Sequence, residues 1–210
     1  MSQFFSVHPE QPQARLMRQA ADIVRAGGLI VFPTDSAYAL GGQVGNADLL
    51  ARIRRIRDVD ERHHFTLMCR DLSEIATYAR VDNTQYRLLK ATTPGTYTFI
   101  LEGTRELPRR VMHPKRKTVG LRVPDHPVVS ALLAELGEPL LTSTLLLPGD
   151  ELPLTEVDEI VDKLGRQVEL VIEAGFCGPE ATTVIDLTSG SPVLLRSGRG
   201  SLEPFGLEAE

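Results

Sequence analysis

Residues 29–38 read Leu29-Ile30-Val31-Phe32-Pro33-Thr34-Asp35-Ser36-Ala37-Tyr38. Four consecutive apolar residues closed by a proline are the pattern of a short buried strand that ends in a loop. The loop then presents two hydroxyls and a carboxylate, Thr34, Ser36 and Asp35, at the strand end. In open α/β sheets ligands bind where such loops converge.

On the N-terminal side, Leu16, Ala20, Ile23 and Val24 recur at helical spacing before Gly27-Gly28, which supplies a helix stop. On the C-terminal side, Leu49, Ile53 and Ile56 predict a second helix whose other sides carry Arg52, Arg54, Arg55 and Arg57, expected to be exposed. Strands are predicted at 65–68, 97–101, 118–123, 140–147 and 168–172. Helices are predicted around Tyr86 to Lys90 and from Pro127, a residue suited to a first helical turn, to Gly137. Thr155-Glu156-Val157-Asp158 resembles a capping box opening an acidic helix. Residues 182–187 and 192–196 flank Thr188-Ser189-Gly190-Ser191 and read as a hairpin, while 200–210 are expected to be loosely held. Alternating helices and strands with a hairpin among them predict one α/β domain built on a twisted, mixed sheet.

A chain of 210 residues with 42% hydrophobic and 24% charged residues has the size and composition of one globular domain. Cys69 and Cys177 stand in no metal or redox spacing and are expected to be reduced, buried thiols. No secretory start and no bilayer-length apolar run is present, so the expected location is the cytoplasm, with no membrane partner. The net charge of −5 hides an uneven distribution. Five arginines lie between Arg52 and Arg62 and seven basic residues between Arg105 and Arg122, against nine acids between Gly149 and Glu180. Convergence of the two basic segments would make a concave anion site on an acidic protein.

Hydroxyls recur beside basic residues at three strand ends: Thr34 and Ser36, Thr142 to Thr144, and Thr182 and Thr183 with Arg196 downstream. Hydroxyls and guanidinium forks suit phosphate or carboxylate oxygens, although strands favour threonine for its shape alone. No GxxxxGK[ST], GxGxxG or GxSxG is present, which disfavours a Walker or Rossmann site and covalent catalysis by a triad. His63 and His64 are adjacent in a charged segment and read as a solvated loop; no metal site is predicted.

Several ordered stretches resemble the YrdC-like family, whose known members make threonylcarbamoyl-AMP for the t6A modification of tRNA. Pro33-Thr34-Asp35-Ser36-Ala37-Tyr38-Ala39-Leu40-Gly41 is similar to its PTDT-x-YGL opening and Pro94-Gly95-Thr96-Tyr97-Thr98-Phe99 to its PGPxT segment. Gly120-Leu121-Arg122-Val123-Pro124-Asp125-His126-Pro127 resembles its VR-hP-x-HP segment, and Thr182-Thr183-Val184-Ile185-Asp186-Leu187 with Leu195-Arg196-Ser197-Gly198 its STVVDL and LRPG segments. The resemblance spans residues 14–198, leaving 1–13 and 199–210 as terminal extensions, and is greatest to the YciO branch in MSQFF, in Phe65 to Leu72 and in Pro108-Arg109-Arg110.

The resemblance implies the YrdC-like fold with a basic concave surface. It implies a threonine pocket of Thr34, His64, Arg122, Thr142 and Thr182, and nucleotide phosphates held by Arg55, Arg57, Thr118, Thr144 and Arg196. Arg55, Arg57 and Thr144 would be catalytic. The implied substrates are L-threonine, bicarbonate and ATP with Mg2+, and the implied activity is that of a nucleotidyltransferase of the L-threonylcarbamoyladenylate synthase type. Two motifs depart from the family. Its KxR reads Arg55-Ile56-Arg57, which keeps charge but widens the donor fork. Its SxN reads Thr144-Leu145-Leu146, and Pro148 follows where the synthases have serine. Leu146 makes no hydrogen bond, so weakened or altered activity is expected, including a change to another small carboxylate. A binding protein for double-stranded RNA or tRNA, without catalysis, is the alternative implied by the fold.

Overall fold

The computed structural model describes residues 2–208. Ten strands form one mixed sheet: β1 Gln3–Ser6, β2 Ile30–Phe32, β3 Ala39–Gln43, β4 Thr66–Met68, β5 Tyr97–Glu102, β6 Thr118–Arg122, β7 Leu140–Thr144, β8 Leu170–Glu173, β9 Thr183–Asp186 and β10 Val193–Arg196. Their order is β1-β8-β2-β3-β7-β4-β6-β5-β9-β10. Six helices accompany them: α1 Ala14–Arg25, α2 Ala47–Arg57, α3 Leu72–Tyr78, α4 Asn83–Thr92, α5 Pro127–Leu136 and α6 Val157–Leu164. Parallel pairs such as β4 with β6 and β5 with β9 stand beside antiparallel ones such as β3 with β7, so the sheet is mixed, as the pattern of elements predicts.

Alternation along the strands divides the protein into two cores. On one face, Ile30, Phe32, Met68, Leu140, Leu170 and Ile172 pack against Met17, Ala20 and Val24 of α1 and Val129, Leu132 and Leu133 of α5. On the other, Val31, Leu40, Leu67, Phe99, Leu121, Leu141 and Ile185 pack with Leu49, Ile53 and Ile56 of α2, Ile75 of α3, Leu89 of α4 and Ile160 of α6. Side chains two apart on a strand share a face, so adjacent residues such as Val31 and Phe32 serve different cores. On the first face, α1 and α5 cover only the part of the sheet around β2, β8 and the start of β7. Beyond them the same face carries Thr66, Thr98, Thr142, Thr144 and Thr182, and Gly120 lies flat between its neighbours. A Cβ on Gly120 would come within 2.9 Å of Thr66 Oγ1 and 3.2 Å of Thr98 Cγ2, so only glycine leaves this part of the face level.

Several local expectations need correction. β7 stops at Thr144, before the predicted end at Leu147, because Leu145 N–H turns to Tyr38 O at 2.8 Å and Leu146 N–H to Thr144 O at 2.9 Å. The capping box at Thr155 does not form: Glu156 occupies the N-cap of α6, with no side-chain bond to the first turn. The arginines of α2 are not all exposed. Only Arg55 is; Arg54 lies over the Phe65 ring at 5.5 Å, and Arg57 turns inward from the last turn, where a helix C-terminus favours cations. Elements β1, β3 and α3 have no counterpart in the sequence reading. The two cysteines are buried and unpaired. No helix among the described residues is long and apolar enough to cross a membrane.

The segment after residue 199 is also held more firmly than expected. A 3-10 turn, Glu203–Phe205, inserts Phe205 against Tyr97 and Phe99 with ring centroids 5.4 and 6.0 Å away, and Tyr97 Oη donates to Ser201 O at 3.0 Å. Removing a buried phenylalanine ring costs about 3 kcal/mol of folding free energy. The substitution Phe205→Ala is therefore expected to lower the urea midpoint markedly without changing the m-value, whereas a loose tail would leave the midpoint where it was.

Candidate anion site

The uncovered half of the sheet is the floor of a cavity of about 340 Å³, within the size range of small-molecule sites. Thr66 and Met68 of β4, Thr98 and Ile100 of β5, Thr142 and Thr144 of β7, and Val184 of β9 with the preceding Thr182 form the floor at alternate positions. Ser36 to Ala39 make one wall, Arg57 with the following loop residues Arg62, His63 and His64 a second, and Leu195 and Arg196 a third. The lining contains no carboxylate.

Each cation is held differently. Arg122 ends β6 and is buried; its guanidinium pairs with the buried Asp35 carboxylate, and Nη1 donates to Ser36 Oγ at 3.3 Å. Asp35 also accepts from Asp125 N–H at 2.9 Å, so the pair ties the loop after β2 to the segment after β6. Arg57 Nη1 donates to Ser143 Oγ at 2.6 Å and to Thr144 O at 2.7 Å. Arg196 reaches the floor because β10 carries a bulge: Leu194 faces Ile185 and Arg196 faces Val184, leaving Leu195 as the extra residue. Its Nε and Nη2 donate to Thr182 O at 3.1 and 2.9 Å, and Nη2 also to Thr182 Oγ1 at 3.1 Å.

Burial lowers the affinity of all three guanidinium groups for their protons, bringing Arg57 down to about 10 with a further contribution from Arg196; Asp35 acts in the opposite sense on Arg122. They remain charged at neutral pH. Like charges gathered in a half-buried hollow favour an anionic ligand, because each is disfavoured by lost hydration and by its neighbour.

Of the residues expected at the site, Arg57, His64, Arg122, Thr142, Thr144, Thr182 and Arg196 line the one cavity. Three do not. Thr34 is buried behind the wall, where its hydroxyl donates to Ala37 O at 2.6 Å and accepts from Ser36 N–H at 3.1 Å, shaping the loop that presents Ser36. Thr118 lies at the start of β6 and meets His64 Nε2 at 3.1 Å, acting through the histidine. Arg55 points to solvent because α2 turns it about 160° from the inward direction set by Ile53, close to opposite on a 3.6-residue helix. The two basic segments converge only in part. Arg57, Arg62 and Arg122 reach the cavity, while Arg105, Arg109, Arg110, Lys115, Arg116 and Lys117 are exposed on the loop before β6.

The solvated-loop reading of the histidines is overturned. His63 Nε2 lies 3.2 Å from Ser143 Oγ with its ring edge-on to Phe65, and His64 stacks on His113 with centroids 5.0 Å apart. Burial, then Arg57, His64, Arg196 and Arg54, push His63 down to about 4. His64 is lowered as well, first by burial and then by His113 and Arg116, against the opposing pull of Asp186. Thr66 and Thr98 also line the cavity and were passed over by the sequence reading, while Ser143 belongs to the hydroxyl run Thr142 to Thr144 that it noted; the alternation of threonine with apolar residues in β4 and β5 was the available signal. Among the described residues, no three His, Cys, Asp or Glu side chains gather as metal ligands.

The Sua5, YciO and YrdC family model, described as telomere recombination, matches residues 22–198. The crystal structure of Escherichia coli YciO is 55% identical and superposes with a TM-score of 0.95, covering 98% of this chain and 100% of that one. A threonylcarbamoyl-AMP synthase of Halorhodospira halophila is 30% identical over 170 residues, 80% of this chain and 88% of the synthase. The crystal structure of P. abyssi Sua5 complexed with L-threonine is 25% identical with a TM-score of 0.85, covering 93% of this chain and 57% of that one.

His63 makes stability depend on pH in a defined direction. Its folded value of about 4 lies below the ordinary 6.5, so between these values the unfolded chain binds the extra proton. The contribution is complete above pH 6.5 and is lost as pH falls toward 4, by about 3 kcal/mol at most. Urea titrations across this window are expected to show a shallower decline for His63→Asn than for the parent chain; parallel curves would contradict a buried neutral imidazole.

Proposed function

This chain belongs to the Sua5, YciO and YrdC family, and from that premise we propose that its cavity joins L-threonine, or a carboxylic acid of similar size, to AMP, more slowly than a full synthase. The observation that carries this reading is the division of one cavity into two anion-binding ends. Arg122, fixed by Asp35, stands at one end as a carboxylate clamp, and Arg57 and Arg196 converge on Thr144 and Thr182 as a phosphate cradle at the other. The P. abyssi Sua5 structure with L-threonine supports the threonine half of the proposal.

In this reaction the threonine amine and bicarbonate give a carbamate and water. A carbamate oxygen attacks the α-phosphorus of ATP, the α–β phosphoanhydride bond breaks, and pyrophosphate leaves with the electron pair. The protein supplies position and charge rather than a nucleophile: the floor hydroxyls orient the amino acid, and Arg57 and Arg196 stabilise charge that develops on the phosphoryl oxygens. Magnesium enters as part of the substrate, chelated by the phosphates, which accords with a cavity lining that offers no carboxylate to hold it.

Leu146 accounts for the reduced rate. It lines a second hollow continuous with the first through Arg57, Thr144 and Arg196, in company with Leu152, Pro153 and Pro179. An apolar side chain there offers no hydrogen bond to the nucleotide, and a single missing contact of this kind lowers a rate by roughly 100 to 1,000 fold.

Pyrophosphate release from Mg-ATP is expected to require both L-threonine and bicarbonate. Arg196→Ala should reduce kcat/KM by about 100-fold or more and Leu146→Asn should raise it. Purified chain that binds ATP but releases no pyrophosphate in a threonine-dependent manner would overturn the proposal.

A second reading has its own observation. The six exposed basic residues from Arg105 to Lys117 lie beside the cavity, where His113 of the same loop stacks on His64. This surface suits the phosphate backbone of duplex RNA or tRNA, read by shape rather than by base. Binding there should weaken steeply between about 50 and 200 mM salt, and Lys115→Ala with Arg116→Ala should flatten the dependence by about two in slope. An affinity indifferent to salt would exclude it.

A further inference from the structure

We propose that anion binding in the cavity is coupled to uptake of one proton by His63, which changes from a neutral acceptor on Ser143 into a cationic donor of the phosphate cradle. The inference rests on the reading of the cavity as an anion site but not on any particular chemistry there.

The hydrogen-bond pattern around Ser143 carries it. Arg57 Nη1 donates to Ser143 Oγ at 2.6 Å, so the serine proton is directed elsewhere, and His63 Nε2 lies 3.2 Å away on the same oxygen. Ser143 has one O–H to donate, and we take the neutral tautomer of His63 that uses it, accepting at Nε2 with the proton on Nδ1. In this state the serine proton is spent inside the wall. Protonation at Nε2 reverses the bond: the imidazolium donates to Ser143 Oγ, and the serine O–H is released to point into the cavity. One proton from solvent thus adds a positive charge and frees a hydroxyl donor, both on the side where an anion would sit.

The surrounding charges make the coupling one-directional. Arg54 and Arg57 face His63 from α2, Arg196 faces it from β10, and His64 adjoins it in its own loop, while β7 presents only the uncharged Ser143. No carboxylate lines the cavity, since Asp35 is engaged by Arg122 behind the wall and Asp186 is bonded by Thr188 at 2.6 Å beyond it. Without an anion, burial opposes a positive charge on His63, and repulsion from Arg57, Arg196 and Arg54 adds to the opposition. A bound dianion removes the repulsion, and thermodynamic linkage requires that what raises the proton affinity of His63 also makes protonation favour the anion. Arg57 and Arg196 cannot act in this way because they stay charged throughout.

Sulfate is the suitable probe because, unlike pyrophosphate or ATP, it does not itself titrate between pH 5 and 8. Two measurements on the full chain test the coupling. The His63 imidazole Cε1–H resonance, titrated by NMR, should move from an apparent pKa of about 4 in chloride toward neutrality in saturating sulfate at equal ionic strength. Calorimetric sulfate affinity should rise, approaching tenfold for each pH unit below the value in the complex. His63→Asn should bind sulfate weakly with a flat pH profile, and His63→Lys should bind it tightly with an equally flat one. Sulfate binding that leaves the His63 resonance titrating where it did, or a parent profile no steeper than that of His63→Asn, would overturn the coupling. The NMR titration needs only the parent chain, so an unfolded variant does not rescue the idea. Failure of threonine-dependent pyrophosphate release would leave the sulfate result unaffected, while absence of sulfate binding at every pH would remove the anion site itself.

Discussion

Three guanidinium groups, Arg57, Arg122 and Arg196, are brought from three distant parts of the chain to one hollow without a carboxylate in its lining. Gathering like charges out of water is unfavourable, and only a rigid frame that is stable for other reasons can hold them there. The frame is the sheet. Its two cores bury the apolar residues of alternate strand positions, and the surplus from that burial permits the charged arrangement on the uncovered half-face. The anchoring of each arginine follows from the same constraint: Asp35 offsets the charge of Arg122, and carbonyls and hydroxyls at strand ends satisfy Arg57 and Arg196.

The Arg122–Asp35 pair illustrates why such contacts are not redundant. Both side chains are almost fully excluded from solvent, so removing either would leave an isolated buried charge, which typically costs about 3–5 kcal/mol. The pair also joins the loop after β2 to the segment after β6, and therefore links the order of the Ser36 wall to the orientation of Arg122. Stability and the shape of the cavity wall share one interaction. His63 shows the complementary case: an ionisable group kept neutral by burial first and then by the cations around it.

Leu146 and Leu195 stand at the edges of this arrangement and alter it in opposite ways. Leu195 is the surplus residue of a bulge, and by occupying one position without a partner it rotates Arg196 onto Thr182. Leu146 instead places an apolar side chain in the hollow that shares Arg57, Thr144 and Arg196 with the cavity.

The amino-acid order alone determined the mixed α/β class, most helices and strands, and the family resemblance carried by Pro33 to Gly41 and Thr182 to Leu187, because periodicity and turn chemistry are local properties. It pointed to Arg57, Arg122, Thr142, Thr144, Thr182 and Arg196 through motifs. It did not reveal that Arg55 faces away while Arg57 faces in, that Thr34 and Thr118 lie outside the cavity lining, or that His63 is half-buried among cations. Those facts depend on where α1 and α5, more than a hundred residues apart in the chain, stop covering the sheet, and on the bulge of β10 against β9. A threonine in a strand has the same local preference whether it faces a core or a ligand; only the presence or absence of a helix above it decides which.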